Sequence, residues 1–150
     1  TKNQGWKSIK EVKNTALSYK DYNIQGITSY AYAVRAYRLV DGKKVLSSYT
    51  ASSYIMSYPA KQNISKITRT SRGLKLYWKT QKNADRYQIY RKTKNASWKR
   101  IATVSGGKTS SFEDRTAKKG ITYYYAVRAG VKISTGKVLC GSYTAKSAKR

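Results

Sequence analysis

Short runs of alternating apolar and polar residues dominate residues 64–150. In the run LKLYWK, Leu74, Leu76 and Trp78 alternate with lysines and a tyrosine, and a similar alternation runs through residues 123–129. Side chains two positions apart share one face of a β-strand, so this period predicts half-buried strands. Clusters such as TSRG and SGGKT separate the runs and predict turns. The pattern predicts seven short strands, which is typical of a two-sheet sandwich.

The chain also contains an internal duplication. TKNQGWKSIKEV at residues 1–12 matches TKNASWKRIATV at residues 93–104, and YAVRA occurs at both 32–36 and 125–129. The matching segments keep their order, and their offset varies only between 92 and 94. Such a period is that of a small domain. Residues 64–92 have no counterpart in the first copy, which is therefore expected to be the later part of a domain.

These matches predict the domain organisation. We expect an incomplete domain over residues 1–58, a short linker over 59–63 and a complete domain over 64–150. Within the first copy, the matches predict strands over residues 6–12, 30–36 and 45–51. A sandwich that lacks three strands exposes the inner faces of both sheets. We therefore expect strands from upstream sequence, or a separate polypeptide, to complete residues 1–58.

Four motifs of the second copy, LKLYWK, ADRYQIYRKT, SSFEDRT and GITYYYAVRAG, resemble the fibronectin type III family. The resemblance implies an all-β fold, with two immunoglobulin-like β-sandwiches in tandem, the first lacking its N-terminal strands. It makes Trp78 the core tryptophan and implies that the Tyr123 hydroxyl bonds back to the preceding turn. The expected core residues are Trp78, Tyr87, Ile89, Tyr123, Tyr125 and Val127. Tandem domains of this kind occur on secreted and surface proteins of Gram-positive gut bacteria, which implies an extracellular location.

Charge and composition add a statement about partners. The chain has 32 Lys and Arg against 6 Asp and Glu, a net charge of +26, and 15 tyrosines. Residues 1–60 carry a net charge of +6 and residues 61–150 a net charge of +20. Such a surface attracts polyanions, including nucleic acid, anionic wall polymer and acidic glycan. The alternative is that the lysines only solvate strand faces and discourage edge-to-edge pairing.

The residue inventory argues against catalysis. The chain has no His and one cysteine, Cys140, so a catalytic triad and a zinc site are not expected. Among the carboxylates only Glu113 and Asp114 are adjacent, and adjacent residues of a strand face opposite sides. We predict no enzymatic activity, no metal and no cofactor, although an upstream part of the same protein could be catalytic. No apolar run approaches the roughly 20 residues of a transmembrane helix.

The second copy nevertheless contains a candidate ligand face. The outward residues of two neighbouring strands, 86–90 and 123–129, are expected to form it. They are Arg86, Gln88, Tyr90, Tyr124 and Arg128. Aromatic rings beside guanidinium groups stack on sugars or bases and bind anionic groups. The alternative is cross-strand pairing that stabilises the sheet and binds nothing.

Three functions agree with these observations. The first is a structural module, a spacer or adhesion-type unit of an exported bacterial protein, whose basic surface contacts anionic cell-wall polymer or glycan. The second is a specific carbohydrate- or host-protein-binding adhesin module. The third is non-specific nucleic-acid binding, suggested by charge alone. A further alternative is an accessory C-terminal region of an upstream secreted enzyme.

Overall fold

The computed structural model describes residue 1 and residues 4–150. These residues divide into two compact units, 1–57 and 58–150, and each is described by itself below. All secondary-structure elements in these residues are β-strands, which confirms the predicted all-β class. Residues Gln62 and Asn63, at the end of the predicted linker, belong to the first strand of the second unit.

Nine strands build the second unit, five in one sheet and four in the other. The strands are β5 (Gln62–Arg69), β6 (Leu74–Trp78), β7 (Arg86–Lys92), β8 (Lys99–Ser105), β9 (Ser111–Asp114), β10 (Thr122–Lys132), β11 (Val138–Cys140), β12 (Tyr143–Thr144) and β13 (Lys146–Lys149).

The two sheets have the strand order of a fibronectin type III sandwich. One sheet runs β12-β5-β6-β9, and the other runs β11-β10-β7-β8, with β13 also paired to β10. All pairs are antiparallel except β12 with β5, which is parallel. Consecutive strands β6 and β7 therefore lie in different sheets, as a sandwich of this type requires.

The core lies between these sheets and contains one buried indole. Trp78 is 3% exposed, and its Nε1 donates a hydrogen bond to the carbonyl oxygen of Thr109 at 3.0 Å. Its ring centroid lies 5.3 Å from that of Tyr87 on the opposite sheet. The hydrogen bond satisfies the one polar atom of the indole, so the ring packs in the core without an unpaired donor.

The strand alternation explains which residues line this core. Of the six residues expected there, Tyr87, Ile89, Tyr125 and Val127 have no exposed surface, and Tyr123 is buried. The hydroxyl of Tyr123 accepts a hydrogen bond of 3.2 Å from the backbone N–H of Lys118, in the turn that precedes β10. This contact ties the turn to the strand.

The first unit has fewer and shorter strands. They are β1 (Ser29–Tyr30), β2 (Tyr37–Val40), β3 (Lys43–Leu46) and β4 (Ile55–Met56). Strand β1 pairs with β4, β2 pairs with β3, and a single bridge joins Ala33 to Ala51. Asp41 and Gly42 connect β2 to β3 with φ values of 49° and 75°, as in a type I′ hairpin turn.

Three expectations for the first unit are corrected by the structure. The strand predicted over 45–51 is shortened, because β3 ends at Leu46 and residues 47–50 are not in a strand. The strand predicted over residues 6–12 is wrong, because these residues form no ladder. The strand predicted over 30–36 is interrupted: β1 ends at Tyr30 and only the Ala33 bridge follows before β2. In the second unit the matching strands β8 and β10 both pair with β7, and residue 1 and residues 4–57 include no strand in the position of β7. A strand without its partner has no ladder hydrogen bonds to hold it.

No helix in the described part of the chain has the length and apolar character that crossing a membrane requires.

Candidate functional site

Strand register brings the predicted ligand face together on the outer side of the β11-β10-β7-β8 sheet. Across β7 and β10, Gln88 pairs with Arg128, Tyr90 with Ala126, and Arg86 with Gly130. Tyr124 lies on the same face, opposite Lys92. Residues in these pairs alternate with the buried core residues, so their side chains point away from the other sheet.

The guanidinium groups of this face are held by the protein itself. Arg128 Nε donates to the carbonyl oxygen of Gly141 at 2.8 Å, and its NH2 donates to that of Cys140 at 3.3 Å. Arg86 Nε donates to the carboxylate of Asp85 at 2.6 Å. Both arginines thus fix neighbouring backbone or carboxyl groups, and part of their hydrogen-bonding capacity is unavailable to a ligand.

Gln88 lies beneath the surface of the face. Its side chain is 8% exposed, and its Oε1 accepts hydrogen bonds from the Tyr90 hydroxyl at 2.9 Å and from Cys140 Sγ at 3.3 Å. Burial raises the pKa of the Cys140 thiol, which keeps it protonated as the donor in this contact. Gln88 therefore holds Tyr90 and Cys140 in place through its side-chain oxygen and does not present a group to solvent.

The structure adds side chains that the sequence analysis did not select. Lys92 Nζ lies 5.6 Å from the ring centroid of Trp98 and 5.9 Å from that of Tyr124. The rings of Trp98 and Tyr143 meet edge to face, with centroids 5.6 Å apart and an interplanar angle of 74°. Trp98 precedes β8 by one residue. It lies two positions before Arg100, and this spacing, which puts two side chains on one face of a strand, was a signal that could have placed it outward.

We use the name aromatic–basic face for the outer surface formed by these side chains. It consists of Tyr90, Lys92, Trp98, Arg100, Tyr124 and Tyr143.

The cations of the aromatic–basic face are not neutralised by carboxylates. The ion pairs in residues 1 and 4–150 involve the cations of Lys44, Arg72, Arg86, Arg91 and Arg115. Lys92 and Arg100 are in none of these pairs, and Arg100 is exposed. Two positive charges therefore lie beside four aromatic rings without an acidic partner among the described residues.

Asp114 is the most enclosed carboxylate among the described residues and has a structural role. It is 2% exposed, and its Oδ2 accepts hydrogen bonds of 2.7 Å from both Arg91 NH1 and the Tyr125 hydroxyl. Its Oδ1 accepts from the backbone N–H and hydroxyl of Thr116 at 3.0 and 2.7 Å. Burial acts to raise the pKa of Asp114, but the hydrogen bonds from Tyr125, Thr116 and Arg91 outweigh it and the pKa is lowered. Its acceptor sites are filled by the protein, which leaves no position for a substrate.

The described residues contain no cluster of three or more His, Cys, Asp or Glu side chains that could hold a metal ion.

The strand order gives the second unit the fold of an immunoglobulin-like β-sandwich of fibronectin type III topology. An Fn3-like protein from Clostridium thermocellum aligns with a TM-score of 0.44 at 24% identity, over 59% of this chain and 96% of that chain. The structure of FN3tt mut aligns with a TM-score of 0.47 at 20% identity, over 62% and 97%.

Pectate lyase Pel3 from Pectobacterium carotovorum aligns with a TM-score of 0.44 at 24% identity, over 60% of this chain. The alignment covers 26% of that enzyme, so the chain matches about a quarter of its length. No family model and no curated protein matches the chain.

Proposed function

We propose that the second unit is a non-catalytic binding module that holds an exported protein on an acidic glycan or anionic wall polymer. The observation that carries this proposal is the position of Lys92 between the rings of Trp98 and Tyr124 on the aromatic–basic face. A sugar ring stacks on an aromatic side chain while its carboxylate or phosphate contacts the adjacent cation. Lys92 and Arg100 have the free charge that such a contact needs.

The rest of the molecule supports a polyanionic ligand. The net charge of +26 raises the local concentration of anionic polymers around the whole chain and speeds their encounter. Charge alone does not distinguish a glycan from nucleic acid, because both release counterions on binding. The distinction depends on the aromatic rings and on the spacing of cations around them. An extracellular location is part of the same proposal, since acidic wall polymers lie outside the cell.

The test compares two charge-matched variants of the full chain. Lys92→Gln removes a cation from the aromatic–basic face, and Lys66→Gln removes one from exposed β5 on the other sheet. Binding to hyaluronan, a carboxylated glycan, is measured by isothermal titration calorimetry in about 150 mM NaCl. We expect Lys92→Gln to weaken binding about fivefold, equivalent to about 1 kcal/mol, and Lys66→Gln to leave it within about twofold.

Two outcomes would contradict the proposal. Equal losses in the two variants would mean that the ligand senses only net charge. Duplex DNA that binds as tightly as hyaluronan, with the same response to both variants, would favour non-specific nucleic-acid binding. Neutral dextran, which carries no charge, is the negative control in the measurements with hyaluronan and with DNA.

A further inference from the structure

One end of the second unit carries a cluster of cations. The β5–β6 turn, the β9–β10 connection and residues 149–150 meet there. Arg150 joins the three segments, because its guanidinium donates to the carbonyl oxygens of Ala117 and Ser71. We use the name cationic end for the exposed side chains of these segments. They are Arg72, Arg115, Lys118, Lys119, Ile121 and Lys149.

The cationic end has little acidic charge to balance it. Glu113 accepts a hydrogen bond of 2.9 Å from Arg115 Nε and lies 3.5 Å from Arg72 NH2, so one carboxylate serves two guanidinium groups. The other carboxylate at this end, Asp114, is buried and pairs with Arg91. None of the ion pairs among the described residues includes a lysine of the cationic end. Most of its charge is therefore free to attract an anionic partner.

The first unit contains the same β9–β10 connection and shows what its fold requires. Residues 21–30 and 114–123 are equivalent at an offset of 93. In each, the tyrosine hydroxyl at the end accepts the backbone N–H five residues earlier, at 2.7 Å from Gln25 and 3.2 Å from Lys118. In each, the aspartate at the start accepts the backbone N–H two residues later, at 2.9 and 3.0 Å. The conformation therefore depends on the shared Asp and Tyr.

The two copies differ in charge at these equivalent positions. The second copy has four cations and an exposed isoleucine where the first copy has uncharged residues and a threonine. The fold does not require these cations, because the first copy forms the same connection and the same strand pair without them. The pairs, second copy first, are Arg115 and Tyr22, Lys118 and Gln25, Lys119 and Gly26, Lys149 and Met56, and Ile121 and Thr28.

The exposed Ile121 distinguishes between anionic partners. It is 42% exposed, and its backbone N–H donates to the carbonyl oxygen of Lys118 at 3.4 Å. A soluble polyanion gains only from the cations, whereas a bilayer offers anionic headgroups together with an acyl boundary that buries an apolar side chain. Residues 69–73, 113–122 and 149–150 contain no aromatic residue on which a sugar could stack. Cations around one apolar side chain therefore favour a lipid surface.

We propose that the cationic end docks the second unit on a bilayer that contains anionic lipid. Its lysines and arginines contact headgroup phosphates, and Ile121 enters the boundary between headgroups and acyl chains. Strand β10 has 11 residues and spans about 35 Å, whereas the Debye length is about 8 Å at physiological salt, so cations at the opposite end do not contribute. The residues involved differ from those of the aromatic–basic face, so the two proposals are independent.

Vesicle sedimentation with the full chain tests this proposal. The vesicles contain phosphatidylcholine alone or with about 30% phosphatidylglycerol, in about 150 mM NaCl. Lys118→Gln with Lys119→Gln removes two charges from the cationic end, and Lys82→Gln with Lys137→Gln removes two exposed charges from the opposite end. Ile121→Thr introduces the residue of the first copy, and Ile121→Leu keeps the position apolar.

The expected losses are confined to the cationic end. Lys118→Gln with Lys119→Gln should weaken binding to the phosphatidylglycerol vesicles about 20-fold, since each cation near an anionic surface contributes about fivefold. The pair at the opposite end should stay within about twofold. Ile121→Thr should weaken binding about threefold and Ile121→Leu should stay within about twofold. The replaced side chains are exposed, so the melting temperature should not change and a loss of binding does not reflect a loss of fold.

Three outcomes would overturn the proposal. Equal losses from the two charge pairs would mean that the vesicle senses only net charge. Binding to phosphatidylcholine alone that equals binding to the anionic vesicles would remove the role of the cations. Soluble polyphosphate is the comparison ligand without acyl chains. If it binds as tightly as the anionic vesicles and Ile121→Thr changes neither, the cationic end binds an anionic polymer and not a bilayer.

Discussion

Asp114 holds together the strands at one end of the second sandwich. It brings together Arg91 from β7, Thr116 from the following turn and Tyr125 from β10. The Arg91 guanidinium also lies over the ring of Tyr123, with 4.7 Å from Cζ to the centroid. A buried carboxylate with filled acceptor sites holds its neighbours in one arrangement, and its loss leaves several donors without a partner.

Replacing Asp114 by Asn tests this role through its dependence on pH. The lowered pKa of Asp114 means that its contribution is fully present above the ordinary carboxyl pKa of about 3.9 and is lost as pH falls through the folded value. Asp114→Asn should lower the free energy of unfolding by about 2–3 kcal/mol at neutral pH. The difference from the native chain should stay constant down to about pH 5 and shrink below about pH 4.

Urea unfolding followed through tryptophan fluorescence measures these values, in a background that carries Trp6→Phe and Trp98→Phe so that only the buried Trp78 emits. Asp41→Asn is the matched control, because Asp41 lies in an exposed turn with positive φ that Asn also adopts. It should change stability by less than about 0.5 kcal/mol. A stability difference for Asp114→Asn that does not change between pH 7 and pH 3 would contradict the assigned role.

Tight turns set the strand connections of the second unit. Between β8 and β9, the backbone of Gly107 approaches the carbonyl oxygen of Ala84 so closely that an added Cβ would lie 1.8 Å from it. No side chain fits there without movement of the backbone. The Gly106-Gly107 pair, which the sequence marks as a turn, thus also sets how closely this turn approaches the β6–β7 connection.

Gly107→Ala should therefore destabilise the second unit by about 2–4 kcal/mol in urea unfolding. Gly136→Asn is the control, because a Cβ at Gly136 meets nothing within 4 Å and Asn tolerates its φ of 83°. The control should stay within about 0.5 kcal/mol of the native chain. A neutral Gly107→Ala would mean that this turn is free to open.

The strands that the sequence located best are those whose two faces differ in polarity. Strand β6 lies within the run LKLYWK, and β10 extends the predicted 123–129 by one residue at its start and three at its end. The prediction over residues 6–12 was wrong because the sequence carries the pattern of β8 without the strand that pairs with it. Alternation indicates a tendency, and only a partner strand makes it a ladder.

Sites built from distant residues were harder to predict. The Asp114 contact joins residues 23 positions apart, and nothing local marks Arg91 as its partner. The face of Arg86, Gln88 and Arg128 was placed on one side of the sheet by period alone, but their hydrogen bonds to the protein depend on the fold. Lys92 and Trp98 become neighbours only once β7 and β8 are paired.

At the scale of the whole molecule, the charge is almost uncompensated. Five cationic side chains take part in ion pairs in residues 1 and 4–150, against a formal net charge of +26. Repulsion among the remaining cations opposes the compact state and weakens when salt screens it. The chain should therefore be least stable in the absence of salt or of an anionic ligand.

Raising NaCl from about 10 mM to about 150 mM should raise the melting temperature of the second unit by about 5 °C, because screening relieves about 1 kcal/mol of repulsion. Differential scanning calorimetry on the full chain measures the shift. Sodium fluoride at the same ionic strength should act equally, since the effect comes from screening and not from the binding of chloride in particular. A melting temperature that falls with salt would mean that attractive pairs outweigh the repulsion.

The rate at which Cys140 is alkylated reports how often the second unit opens at the β11 edge. Its thiol is partly covered on β11, donates to the buried Gln88, and has a pKa raised by burial. A maleimide reacts with the thiolate, so modification in the folded chain is slow and speeds up when the β11 edge separates from β10. Because this is the only thiol in the sequence, the kinetics of alkylation follow a single event at a known edge, with no engineered label.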